Sequence, residues 1–138
     1  MGPVNETNTG NQFTLVGNVI EGMLKWGLAV HDSHYGLVKD NIAYDGQGSA
    51  ITTEDGNESF NVFERNFVVH TKAGDQEQVL ESPKRGGVFS GRKLFGLTRD
   101  GFWFSGMNNF LRDNVVANAP DFAYNYNGYY LSQDQPIP

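Results

Sequence analysis

The chain has 138 residues, a formal net charge of −6 and no cysteine. This length predicts one domain, the absence of cysteine excludes disulfides and thiolate metal sites, and the acidic balance argues against nucleic-acid binding, which needs clustered cations. No stretch approaches the roughly 18 consecutive apolar residues of a membrane-spanning helix, so we expect no membrane span.

Residues 1–11 are polar and rich in Asn, Thr and Gly, which predicts a disordered lead before a single domain over residues 12–138. From Phe13 onwards, short phrases of β-branched and aromatic residues are separated by Gly, Asn and Asp, a pattern typical of short strands. The predicted strands are 13–16, 19–20, 27–30, 36–38, 42–44, 49–52, 61–63, 67–70, 101–104, 109–111 and 114–117. A tyrosine-rich tail from Tyr124 to Tyr130 offers one more strand.

An asparagine recurs in four near-copies of one phrase, each time followed by two apolar residues. The copies are Asn18, Asn41, Asn66 and Asn114, at intervals of 23, 25 and 48 residues, the last close to two periods. A period of this length predicts a solenoid in which each repeat is one turn of a β-coil. Turns stack about 4.8 Å apart, so we expect the amides to bond to one another as a structural ladder. Asparagine also suits such a corner because it tolerates left-handed backbone angles.

The repeat weakens around residues 72–100, which we interpret as one long loop insertion with a candidate strand at 87–89. Five of the ten cations of the chain fall within 16 positions of this stretch: Lys84, Arg85, Arg92, Lys93 and Arg99. Two interpretations stay open for them, a solvated basic loop or a site that attracts an acidic polymer such as a uronic-acid polysaccharide.

The aromatic residues Phe102, Trp103 and Phe104 are adjacent in the strand that follows the insertion. Because neighbours along a strand point to opposite faces, we expect at least one ring on the outside of the coil. An outside Trp103 ring either stacks on the apolar face of a sugar or is covered by the insertion or the tail. Trp103 is therefore a candidate substrate-binding residue.

Three carboxylates lie within five positions: Glu54, Asp55 and Glu58. Asp55 and Glu58 could ligate a hard cation such as Ca²⁺, and a pair of these carboxyl groups could perform acid–base chemistry on a glycan. The alternative interpretation is a polar turn between rungs, in which Asp55-Gly56 makes the turn and Glu58 points to water.

His31 is the candidate partner of these carboxylates. One rung of a β-coil lies directly under the next, so His31 would approach the edge formed by residues 52–54 and complete a cluster suited to acid–base catalysis or metal binding. The alternative is an ordinary surface histidine at a corner.

Several phrases of the chain share one resemblance. They are residues 36–44, the acidic phrase 54–58 followed by Asn-Val-Phe-Glu at 61–64, and the later phrases 102–104 and 114–117. Together they resemble the right-handed parallel β-helix region of the cell-surface hyaluronidase and cell-migration-inducing hyaluronan-binding protein family and its bacterial relatives. In that family His usually follows the glycine matching Gly48 and Leu usually precedes the acidic pair, where this chain has Ser49 and Thr53. The resemblance implies a β-helix with polysaccharide hydrolase chemistry.

We therefore predict an all-β fold, a short right-handed parallel β-helix of about five rungs with one long loop insertion. The ends of so short a solenoid expose strand edges. We expect the tyrosine-rich tail to cap one end, and a second copy or a neighbouring domain to cap the other.

Two functional hypotheses follow. The first is an extracellular carbohydrate-active or carbohydrate-binding module for an acidic polysaccharide, with Glu54, Asp55, Glu58 and His31 near the chemistry; as an enzyme it would be a hydrolase or a lyase. The second is a non-catalytic structural or adhesive β-solenoid, such as a segment of a fibre, a tailspike or a surface protein.

Overall fold

The computed structural model describes residues 12–72 and 98–126, and in this part of the chain it contains strands and no helix. The strands are β1 (Thr14–Val16), β2 (Val19–Glu21), β3 (Leu28–Val30), β4 (Leu37–Lys39), β5 (Ile42–Gln47), β6 (Ile51–Thr53), β7 (Val62–Glu64), β8 (Phe67–Lys72), β9 (Phe102–Phe104), β10 (Phe110–Arg112), β11 (Val115–Ala117) and β12 (Tyr124–Tyr126).

Every third strand joins the same parallel sheet. Sheet A has the order β1-β4-β7-β10, sheet B the order β11-β8-β5-β2 and sheet C the order β12-β9-β6-β3. Each turn of the chain thus adds one strand to each sheet, and residues about two dozen positions apart become neighbours, as where Val19 pairs with Ile42. The prediction of an all-β parallel β-helix is confirmed, and the described residues form four turns of it.

The third turn differs from the second in its connection between sheets B and C. β5 ends at Gln47 and β6 begins at Ile51, whereas β8 ends at Lys72 and β9 begins only at Phe102. The predicted strand at 87–89, the predicted lead at 1–11 and the part of the tail beyond Tyr126, which we expected to cap one end, lie outside the described residues.

Side chains that point inward form columns that run through all four turns. One column is Leu15, Val38, Phe63 and Leu111, and another is Ile20, Ala43, Val68 and Val116. The members from the two middle turns have 0% exposure, whereas those from the first and last turns are only partly buried. Among the described residues, the core is therefore closed in the middle and only partly covered at its first and last turns.

The predicted asparagine ladder is present at the corner between sheets A and B. Nδ2 of Asn18, Asn41 and Asn66 each donates to Oδ1 of the next asparagine at 2.9 Å. The backbone N–H of the same three residues donates to the same oxygens at 2.9–3.1 Å. In the lower turns Nδ2 also donates to the carbonyl of the strand above, as from Asn41 to Leu15. In the middle turns, the amides of Asn41 and Asn66 thus bond to the corner backbone of the turn above and to the asparagine amides of both neighbouring turns.

The left-handed conformation falls one residue before the asparagine that we expected to adopt it. φ is positive at Gly17, Asp40, Arg65 and Asp113, with values of 70°, 54°, 51° and 52°. This placement leaves the asparagine at the start of the following strand, where its amide points into the corner.

A second ladder, which the sequence analysis missed, lies at the corner between sheets C and A. Nδ2 of Asn61 donates to Oδ1 of Asn109 at 3.0 Å, and Oδ1 of Asn61 accepts the backbone N–H of Gly36 at 2.7 Å. The first two turns carry Phe13 and Gly36 at this position, and a side chain on Gly36 would collide with the Phe13 ring. Asparagine therefore occupies this position in only two of the four described turns, which is too few to reveal the repeat in the sequence.

Of the three rings at 102–104, Trp103 is the one on the outer face of the coil, and it is covered rather than exposed to a ligand. Phe102 and Phe104 lie in the core, and Trp103, on the opposite face of β9, is also buried with 2% exposure. Strand alternation indicates only the face on which a ring lies, and that face of sheet C is covered at Trp103. No helix within the described residues has the length and apolar character needed to cross a membrane.

Candidate functional site

The loops that follow β3 and β6 lie one over the other, because Val30 pairs with Thr53 in the parallel register of sheet C. This register places His31 beside the acidic phrase of the next turn. Nδ1 of His31 lies 2.6 Å from Oε2 of Glu54 and 3.6 Å from Oδ2 of Asp55. The predicted cluster of His31, Glu54 and Asp55 is thus assembled, with the His31 side chain 48% exposed.

Glu58 does not join this cluster and does not point to water. Its side chain is fully buried, and its carboxylate accepts the backbone N–H groups of Asp55 at 2.7 Å, Gly56 at 2.8 Å and Asp32 at 3.4 Å. Gly56 has φ = 90°, which favours glycine at this point of the turn. Glu58 therefore holds the loop that presents Glu54 and Asp55, which is a positioning role.

Two more contacts tie the loops together and flank the histidine. Nδ2 of Asn57 donates to Oδ1 of Asp32 at 2.5 Å across the turns. The Trp26 ring lies 5.7 Å from the His31 ring, and Nζ of Lys25 lies 3.8 Å from the centre of the indole. The site thus combines an imidazole, two carboxylates, an aromatic wall and one cation.

One ligand atom each from His31, Glu54 and Asp55 can be chosen so that all lie within 4.8 Å of one another. This spacing would allow a metal ion to bind there, and the two carboxylates suit a hard cation. The calcium pair expected from the sequence was Asp55 and Glu58. In this arrangement Glu58 already accepts backbone N–H groups, so Glu54 is the carboxylate that lies beside Asp55.

A second histidine–carboxylate contact lies within sheet B, between β8 and β5, and provides a comparison. Nδ1 of His70 lies 3.0 Å from Oδ1 of Asp45, and Nζ of Lys72 contacts the same oxygen. Lys72 and His70 together lower the pKa of the Asp45 carboxyl, with the hydrogen bond from Lys72 the larger cause. His70 is 48% exposed, like His31, but it faces one carboxylate whose charge Lys72 balances.

Only one of the five predicted polymer-binding cations lies in the described part of the chain. Arg99 forms an ion pair with Asp121, with Nη2 to Oδ1 at 2.5 Å, and this contact lowers the pKa of Asp121. The others, Lys84, Arg85, Arg92 and Lys93, lie outside the described residues. Trp103, the remaining predicted substrate-binding residue, does not expose its ring in this structure.

Asp100 is a buried carboxylate that the sequence analysis did not single out. It accepts hydrogen bonds from the Thr98 hydroxyl at 2.6 Å, from Nδ2 of Asn125 at 2.9 Å and from the N–H of Phe122 at 3.2 Å. Burial raises the pKa of its carboxyl, although these bonds oppose the shift. It joins the third and fourth turns before β9, and no repeat in the sequence marks it.

Chemically, the His31 cluster can hold a proton between an imidazole and a carboxylate at the protein surface. A histidine oriented by a neighbouring carboxylate is a common general base or acid. The exposed position lets an extended polymer reach it, and the adjacent indole can pack against an apolar sugar face.

These features define a small parallel β-helix domain with a histidine–carboxylate corner. A family model described as the CEMIP beta-helix matches residues 1–135, so the chain belongs to that family, as the resemblance implied. Human Fibrocystin-L is 29% identical over 99 residues, covering 72% of this chain, and mouse Fibrocystin-L is 28% identical over 109 residues, covering 79%. The match spans 2% of the length of each of these relatives. No solved structure matches the chain.

Proposed function

We propose that this β-helix is an extracellular module that binds or cleaves an acidic polysaccharide, with His31, Glu54 and Asp55 at the centre of its site. The observation that carries the proposal is the 2.6 Å contact between His31 and Glu54, which two successive turns bring together. Membership of the CEMIP β-helix family supports the polysaccharide class.

The neighbouring side chains support this ligand class. The Trp26 indole lies beside His31 and offers an apolar surface to a sugar ring, while Lys25 supplies a positive charge for a uronate. The loop that carries Glu54 and Asp55 is held from below by buried Glu58. A positioned catalytic or binding group needs such support.

The test uses hyaluronan, alginate and pectin with the intact chain. Cleavage is read from product size, and unsaturated-uronate absorbance separates a lyase from a hydrolase. Binding is read from chemical-shift changes of His31 and Trp26. The proposal fails if none of the three polymers is cleaved and none shifts these resonances.

His31→Ala and His70→Ala form a matched pair for this test, because both side chains are 48% exposed and both contact a carboxylate. We expect His31→Ala to weaken binding or cleavage at least tenfold and His70→Ala to leave both unchanged. Equal losses in the two variants would show that the effect does not come from the proposed site.

A bound calcium ion is part of the proposal, with the carboxylates of Asp55 and Glu54 as ligands. An ion that binds only the folded chain must raise the melting temperature. Calcium should therefore raise Tm for the native chain and for His70→Ala, but not for Asp55→Asn. An unchanged Tm in millimolar calcium would remove the ion from the proposal and leave the histidine–carboxylate pair.

The second candidate is a structural or adhesive solenoid without catalysis, whose open ends are capped by a second copy or a neighbouring domain. It is favoured by the partly exposed inward residues of the first and last turns, such as Ile20 and Val116. Absence of both cleavage and binding, in a chain that folds, would favour this candidate.

A further inference from the structure

The two ends of the coil differ in the hydrogen-bonding groups that they leave unused. In the asparagine ladder each amide donates downward to the next turn. Among the described residues, nothing donates to Oδ1 of Asn18 at the first turn, and nothing accepts the backbone N–H of Asn114 at the last turn. One end therefore offers an acceptor where the other offers donors.

A second series of hydrogen bonds repeats from turn to turn, from each ladder Nδ2 to a backbone carbonyl of the turn above. Asn41 donates to the Leu15 carbonyl, Asn66 to Val38 and Asn114 to Phe63, at 2.8–3.0 Å. The next member of this series is the Leu111 carbonyl at the last turn. Its matching donor would be a ladder asparagine one turn further on. Asn18 of another copy could supply it, because within the described residues its Nδ2 donates only to Asn41.

The apolar surfaces of the two ends are also suited to each other. A cavity of about 400 Å³ opens at the last turn and is lined by Leu111, Arg112, Asp113, Asn114, Tyr124 and Tyr126. The Tyr124 and Tyr126 rings stack on Phe102 and Phe104 from the turn above, with centroids 5.1 and 5.5 Å apart, and remain partly exposed. The open side of the first turn presents Phe13, Leu15 and Ile20. These residues are also partly buried and could cover the surface of the last turn.

From this complementarity we infer that the first turn of one copy docks on the last turn of another, head to tail, and continues the three parallel sheets. β10, β11 and β12 then pair with the partner copy's β1, β2 and β3, and Asn114 donates to Asn18 of that copy. This arrangement removes unpaired strand edges from the interface, and because its two surfaces differ it can extend beyond a dimer. The inference rests on the capping partner of the solenoid candidate above, and it is independent of polysaccharide binding.

Two end variants test the direction of docking. Ile20→Asp places a charge at the first turn, and Leu111→Asp places one at the last turn. We expect the native chain to associate as its concentration rises, in sedimentation experiments up to about 1 mM, where a millimolar Kd is detectable. Each variant alone should remain monomeric. An equimolar mixture should form a dimer, because Ile20→Asp keeps an intact last turn and Leu111→Asp keeps an intact first turn.

Val115→Asp is the matched control, because Val115 lies in the last turn but points outward and is 54% exposed. This variant should associate like the native chain. A native chain that stays monomeric at every concentration overturns the inference. Association of either end variant by itself also overturns it, since that result indicates head-to-head or tail-to-tail pairing.

Amide hydrogen exchange of the native chain gives a test that does not depend on variants folding. Protection should rise with concentration in β1–β3 and β10–β12 and stay constant in β4–β9. Concentration-independent protection at the two ends would contradict the inference. Glycan binding that persists in monomeric Leu111→Asp would leave the proposed function intact even then.

Discussion

Two corners of the coil stack residues from successive turns, but they do so with different chemistry. At the corner between sheets A and B, the same amide recurs in every turn and is fully buried in the middle, at Asn41. At the corner between sheets C and A, His31 lies over Glu54, and both remain partly exposed. Repetition of one residue in a buried corner indicates a scaffold, whereas exposed and unlike neighbours can form a site.

Removing the Asn41 amide is the strongest test of this contrast. Asn41→Ala deletes side-chain bonds to Asn18, Asn66 and Leu15 and leaves buried partners unsatisfied. At roughly 1 kcal/mol per lost bond, and more for orphaned groups, we expect a loss of about 3–4 kcal/mol in the free energy of unfolding. Urea denaturation measures it.

Asn57→Ala is the control, because the Asn57 side chain donates only to exposed Asp32. Asn57→Ala loses this one hydrogen bond, so we expect a loss of about 1 kcal/mol or less, well below that of Asn41→Ala. Similar losses in the two variants would mean that the ladder contributes little beyond an ordinary polar contact.

Removing the Glu58 carboxylate, which holds the loop beneath the His31 cluster, should have the next largest effect on stability. Glu58→Ala leaves the N–H groups of Asp55 and Gly56 without their acceptor. We expect a loss of about 2 kcal/mol in unfolding free energy, together with broadened resonances of Glu54. Glu58→Gln, which keeps one carbonyl acceptor, should lose less, and equal losses would indicate that packing rather than hydrogen bonding holds the loop.

The sequence alone predicted the asparagine ladder between sheets A and B, but only part of the His31 site between sheets C and A. At the corner between sheets A and B an asparagine recurs in every described turn, so the intervals between the four asparagines were sufficient to predict the coil. The same stacking argument brought His31 to Glu54. The direction of Glu58 depends on the turn at Gly56, and the burial of Trp103 depends on what covers sheet C. Neither appears in the spacing of residues along the chain.

His31→Ala should affect stability much less than function. Its side chain is about half exposed, so we expect a change of about 0.5 kcal/mol or less in the free energy of unfolding. Thermal unfolding monitored by circular dichroism, run beside the polymer-binding test, separates the two effects. A loss comparable with that of Asn41→Ala would make His31 part of the scaffold and remove the distinction between the corners.

The smallest effect comes from an ion pair beside the ladder. Arg65 donates to both carboxylate oxygens of Asp40 at 2.8 Å and lowers the pKa of that carboxyl. A folded-state pKa below the unfolded value contributes stability that is present at neutral pH and is lost as the pH falls through the folded pKa. Asp40→Asn should therefore lower Tm slightly at pH 7, and the difference should vanish in acid, below the ordinary aspartate range near 3.9.

The Asn41 ladder contains no group that titrates in this range, so the destabilisation by Asn41→Ala should persist across the same pH series. The double variant Asp40→Asn/Arg65→Gln isolates the ion pair. Its loss of unfolding free energy should be no larger than the sum of the losses in the two single variants. If the Asp40→Asn difference stays constant down to pH 2, the pair contributes through side-chain packing, and the electrostatic argument for this corner is wrong. If the Tm difference between the native chain and Asp40→Asn vanishes in acid, the charge of Asp40 makes stability at this corner depend on pH. The buried amides beside it stabilise the fold at every pH.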